Sequence, residues 1–118
     1  MGQVTAGNGP EVARLVSAAT TNATVAKATP GRLFGWVASN TNAAVRYLKI
    51  YDTAAAPAVG TTVPRLTILL PVGNSAAHDL ADGIVFSSGI SFALTSGAAD
   101  ADTGAVGAAE SIVQLFYR

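Results

Sequence analysis

The stretch RLFGWVASNTNAAVRYLKIYD, residues 32–52, decides the fold. It holds two apolar runs, Leu33 to Ser39 and Ala44 to Tyr51, separated by a polar corner at Ser39 to Ala43. The only Trp, one of four Phe and two of three Tyr lie here, so much of the aromatic stock for a core is local to it. Val45, Tyr47, Leu48, Ile50 and Tyr51 suit a pleated surface. Asn40, Thr41 and Asn42 bond their own backbone and tolerate left-handed conformations, which marks a chain reversal. The stretch therefore predicts a β-hairpin at the centre of a β-sandwich.

Upstream, Gly2, Gly7, Gly9 and Pro10 weaken any ladder, so residues 1–11 read as an arm and residues 12–118 as one sandwich domain. Val12 to Ala19 and Thr24 to Ala28 read as two short strands, and Pro30-Gly31 as the turn into the central hairpin. Gly35 removes a side chain between Leu33 and Val37 on one face, with Phe34 and Trp36 on the other, and lets a neighbouring backbone approach.

Downstream, Thr53 to Val63 is long for a hairpin loop and is expected to cross between sheets as a Greek key requires. Arg65 to Leu70 alternates, with Leu66, Ile68 and Leu70 inward. Ser75 to Leu80 is a weak strand, Asp82-Gly83 a turn, and Ile84 to Phe86 a further strand, with Ser87 to Gly89 turning again. Ile90 to Thr95 reads as half-buried, with Ile90, Phe92 and Leu94 on the covered face. Ser96 to Ala109, nearly all small residues, reads as an exposed loop that adds nothing to a core. Ser111 to Tyr117 is apolar on both faces, which means a central place in a sheet or a face covered by another subunit. Eight or nine short strands make the predicted class all-β, an antiparallel two-sheet β-sandwich of jelly-roll type.

Length and composition agree. A chain of 118 residues buries roughly two-thirds of its unfolded surface as one domain. Of its apolar half, 24 residues are Ala, so the true core stock fills one thin sandwich. Seven Lys and Arg offset seven Asp and Glu without any block of like charge, which gives no footprint for nucleic acid or anionic lipid. Cysteine is absent, which removes disulfides and thiolate chemistry. No signal peptide or membrane-length apolar run is read, so synthesis in the cytoplasm is expected.

Chemistry-bearing residues do not assemble into a motif. His78 stands beside Asp79, but Gly89-Ile90-Ser91-Phe92-Ala93 lacks the second glycine of a nucleophile elbow and the helix that should follow. His78 is expected at the surface. Asp100, Asp102, Thr103 and Gly104 open like a calcium loop, yet the later ligand positions fail and a capped turn is expected. Asp52, Asp79, Asp82 and Glu110 are the carboxylates available for acid-base work, with no spacing that favours it. Asn22-Ala23-Thr24 fits a glycosylation acceptor, a motif common by chance. The expectation is no enzyme, no cofactor and no metal.

The succession Leu33-Phe34-Gly35-Trp36, Asn40-Thr41-Asn42, Tyr47-Leu48-Lys49-Ile50-Tyr51-Asp52, Ala56-Pro57-Ala58-Val59-Gly60-Thr61, Asp82-Gly83-Ile84, Phe86-Ser87-Ser88-Gly89-Ile90 and Thr95-Ser96-Gly97-Ala98-Ala99-Asp100 resembles small tailed-phage and prophage structural proteins similar to capsid decoration, or cement, proteins. The resemblance covers Arg32 to Arg118. It implies a virion protein on the outer capsid surface, a homotrimer that bridges subunits of the major capsid protein. Interface candidates are Trp36, Tyr47, Tyr51, Ile112, Phe116 and Tyr117. The alternative is a tail, baseplate or head-fibre module that binds a host receptor or glycan. Cementing calls for apolar residues at flat contacts, whereas glycan binding calls for a groove with exposed Trp or Tyr.

Overall fold

The computed structural model describes residues 9–118, and these contain eight strands and no helix. The strands are β1 (Glu11–Val16), β2 (Thr24–Lys27), β3 (Gly31–Asn40), β4 (Arg46–Tyr51), β5 (Leu66–Leu70), β6 (Asn74–Phe86), β7 (Ile90–Thr95) and β8 (Ile112–Tyr117). They form two antiparallel four-stranded sheets, sheet I in the order β1-β8-β3-β6 and sheet II in the order β2-β7-β4-β5. First pairs with last, second with seventh, third with sixth and fourth with fifth, so the chain is one long ribbon folded across two layers. Every connection crosses between sheets except that from β4 to β5.

This topology corrects the central hairpin. β3 and β4 do form as strands, but they lie in different sheets and do not pair. The Asn-rich corner is a sheet-to-sheet crossing. Asn40 is buried and its Nδ2 donates to the carbonyls of Ala44 (2.9 Å) and Leu70 (3.2 Å), while Asn42 N–H donates back to Asn40 Oδ1 at 2.9 Å. Conversely, residues 52–65 do not cross, because β4 and β5 are neighbours in sheet II.

Asp82-Gly83 is not a turn either. β6 continues through it, and Phe34 alone on β3 stands against Leu80 to Gly83 on β6, a large bulge. Gly83 takes φ +75° with its Cα against the Phe34 ring, where a side chain would meet both strain and the ring. The same bulge shifts the pleat of β3, so Leu33 and Trp36 both face the core, not opposite faces. At Gly35 a Cβ would lie 2.6 Å from His78 O, the close backbone approach expected there.

The core lies between the sheets. Leu33, Trp36, Leu48, Ile50, Phe86, Ile90, Phe92, Leu94, Val113 and Leu115 fill it, with Leu66 and Ile68 packed on its margin. β8 takes the central place in sheet I, between β1 and β3. Val106 is also in the core at 4% exposure, so the loop of small residues after β7 contributes to it after all.

β7 is buried on both faces, not one. The outer face of sheet II carries Lys49, Tyr51, Ser91, Ala93 and Thr95, all fully buried. Two loops, 52–65 and 96–105, roof this face. Lys49 Nζ donates to Ala99 O, Thr53 and Ser91 share a hydroxyl hydrogen bond, and Thr95 Oγ1 donates to Gly97 O at 2.8 Å. The loops touch each other where Gly60 meets Thr103. Small residues allow this: a roof of Gly, Ala and Thr seats flat enough to shed water from a polar strand face.

The arm expected over residues 1–11 falls largely outside the described residues. Gly9 and Pro10 precede β1 and are exposed, and Glu11 pairs with Tyr117 as part of β1.

Candidate interaction surface

The six interface candidates separate. Trp36, at 9% exposure, and Tyr51, at 0%, are interior to this chain. Tyr117 packs against the core margin. Tyr47 lies on sheet II opposite Leu69, which is 49% exposed. Ile112 and Phe116 alone share a surface, the outer face of sheet I, where they pair with Val16 and Val12 of β1. Val12 and Val16 are 52% and 44% exposed and were not singled out from sequence. Their signal was available, since Val12, Arg14 and Val16 alternate with Ala13 and Leu15 of the core margin. Two apolar pairs, Val12–Phe116 and Val16–Ile112, thus flank the polar pair Arg14–Gln114 on this face.

The carboxylates do not converge. Among the described residues no group of three His, Asp or Glu side chains is placed to hold a metal. Asp79 and Asp82 are exposed on β6, and Asp102 Oδ1 accepts from Gly104 N–H at 2.8 Å, the capped turn expected from the sequence. His78 is exposed, its ring 5.4 Å from that of Trp36 and tilted by 37°. Asn22 is unsuited to glycosylation. It sits at φ +56° and 9% exposure, and its Nδ2 donates to Ala18 O and Thr20 O while Oδ1 accepts from Ala18 N–H.

Two other carboxylates hold the frame. Asp52, where β4 runs into its loop, receives hydrogen bonds from the amides of Ser88 (2.8 Å), Ser87 (3.0 Å) and Gly89 (3.3 Å) and from the Ser87 hydroxyl (3.0 Å). Burial by itself pushes the carboxyl up, but those donors outweigh it and hold Asp52 below its ordinary value. A carboxyl lowered by folding adds stability above the unfolded value and loses it as pH falls through the folded one. Asp52→Asn is therefore expected to destabilise by about 1 kcal/mol near pH 7, allowing for solvent screening. The gap to the native chain should narrow at acid pH, as the native carboxyl is protonated in its turn. Urea unfolding at both pH values checks this; a gap that persists in acid contradicts it.

Glu110 is 7% exposed at the base of β8. Its Oε2 meets Arg46 Nε at 3.0 Å, its Oε1 accepts from Gly107 N–H and Asn42 Nδ2, and its carbonyl accepts from Thr41 N–H at 2.8 Å. One residue thereby ties the sheet-crossing corner to the last strand. Tyr51 has a hydroxyl pushed up first by burial and then by the nearby Asp100 carboxylate, so it stays neutral under the loop roof.

No family model, curated protein or solved structure matches this chain.

Proposed function

We propose that this protein is a capsid decoration, or cement, protein of a tailed phage, a homotrimer seated on the outer capsid surface where it bridges neighbouring major capsid subunits. The observation that carries this reading is the strip of sheet I on which the apolar pairs Val12–Phe116 and Val16–Ile112 flank the polar pair Arg14–Gln114. Such a strip suits contact with a broad protein surface. The only Trp and the most buried Tyr are committed to the interior, which leaves the glycan-binding alternative without an exposed aromatic groove built on them. The nested pairing of first with last strand is read as a jelly roll, an architecture common in viral capsid domains and also in lectins. The sequence resemblance over Arg32 to Arg118 supplies the specific role.

Decoration of this kind needs no catalysis. A protein that binds only the expanded shell stabilises that state by its binding free energy, through mass action. The double variant Val12→Asp, Val16→Asp tests the strip, because both residues already face solvent and the core is untouched. Its unfolding should change little, while attachment to undecorated particles weakens at least tenfold, about 1.4 kcal/mol. Unchanged particle occupancy in the double variant would contradict the assignment of this face.

A further inference from the structure

Three of the seven Lys and Arg of the chain converge on one groove of about 500 Å³ at the end of sheet I. Lys27, Arg32 and Arg118 line it, Asp82 supplies its one acidic side chain, and the Phe34 ring forms part of its wall. None of the three cations is within ion-pairing distance of a carboxylate among the described residues. The Arg32 guanidinium instead donates to the backbone carbonyl of Asp82 at 2.9 Å.

The backbone forces the charges together. Arg32 and Arg118 exchange both main-chain hydrogen bonds, N–H to O at 2.8 Å and 2.9 Å, so they are direct cross-strand partners with side chains on one face. Like charges directly opposite are destabilising in a ladder. Lys27 brings the third charge against Gly31, where a Cβ would begin 3.1 Å from Lys27 Nζ and 2.4 Å from Arg118 O. An anion between the cations relieves the repulsion, and two guanidinium forks suit a bidentate oxyanion.

We propose that this groove binds a carboxylate-bearing protein segment, an acidic side chain flanked by an apolar one that lies on Phe34. Asp82 at the rim and a net charge of zero disfavour a polyphosphate chain, whose binding needs an extended basic field. The proposal holds whether or not the chain decorates a capsid. It is tested by amide NMR titration of the full chain with acetyl-Glu-Leu-Glu-amide, with the Gln-Leu-Gln counterpart, and with inorganic phosphate. The acidic tripeptide should give saturable shifts confined to residues 27–34, 81–83 and 118. The neutral tripeptide should give none, and phosphate should bind at least tenfold more weakly. Arg118→Gln should weaken the acidic tripeptide at least tenfold while leaving the unfolding midpoint unchanged or raised, since it removes a repulsion. Arg118→Lys should restore part of the affinity. Absence of saturable shifts with either anion overturns the site, and phosphate binding as tight as the acidic tripeptide overturns the assignment to a protein segment.

Discussion

Removal of residues 111–118 is expected to abolish folding. Among the described residues β8 is the only partner of β1 and stands between it and β3, so its loss breaks sheet I through the middle. Val113 and Leu115 are fully buried in the core. Emptying each of those sites costs about 2–5 kcal/mol before any backbone pairing is counted. Total stability for a domain of this size is about 5–15 kcal/mol, so the sum reaches the whole margin. Circular dichroism and the soluble fraction after expression check the result. A truncated chain that stays soluble with a cooperative unfolding transition would contradict the central place given to β8.

The second large effect is expected at Glu110→Ala. Truncation leaves the Arg46 guanidinium, whose side chain is 15% exposed, without its partner and strips the Gly107 amide of its acceptor. Breaking a buried pair from one side costs about 3–5 kcal/mol, and partial exposure of Arg46 places this case near the lower figure. At about 4 °C per kcal/mol the unfolding midpoint should fall by about 12 °C. Glu110→Gln retains an acceptor oxygen and should lose roughly half as much, on the difference between charged and neutral hydrogen bonds. A double-mutant cycle with Arg46→Met isolates the pair. A midpoint for Glu110→Ala within about 2 °C of the native chain, which is the range of an ordinary surface change, would show that the corner is held by other bonds.

Strand positions were largely legible and strand partners were not. Ile90–Thr95 is a strand over the span its alternation indicates, and Leu66, Ile68 and Leu70 face inward as their spacing requires. Turn chemistry, however, is local. Asn40 and Asn42 announce a change of direction but not whether the next strand returns to the same sheet, and here the Asn40 side chain bridges to Leu70 across the sandwich while that of Asn42 reaches Glu110. Asp82-Gly83 carries the composition of a hairpin turn, yet the same positive φ serves a bulge where Gly83 meets Phe34. The polar side of β7 reads as solvent-facing because period-2 patterning senses polarity and not cover. The roof that buries Ser91 and Thr95 is made of residues whose sequence signal is that of any loop.

At the surface the divergence has the same origin. Large aromatics attract attention as interface candidates, but Trp36 and Tyr51 are buried inside the domain. Val12 and Val16 pass unremarked because an isolated exposed valine is ordinary; only the register of β1 against β8 gathers them beside Ile112 and Phe116. Asp52 and Glu110 look like candidates for chemistry and turn out to hold loops and strands together. Arg32 and Arg118, far apart in sequence, meet because the start of β3 pairs with the end of β8, and Lys27 joins them from the end of β2, just before β3.

The most direct test of the proposed role is the number of copies of this protein per purified particle, measured by quantitative mass analysis beside the major capsid protein. Shell-wide decoration predicts hundreds of copies in a simple ratio to capsid subunits. A few to a few tens of copies would contradict it and place the protein at the tail or a single vertex.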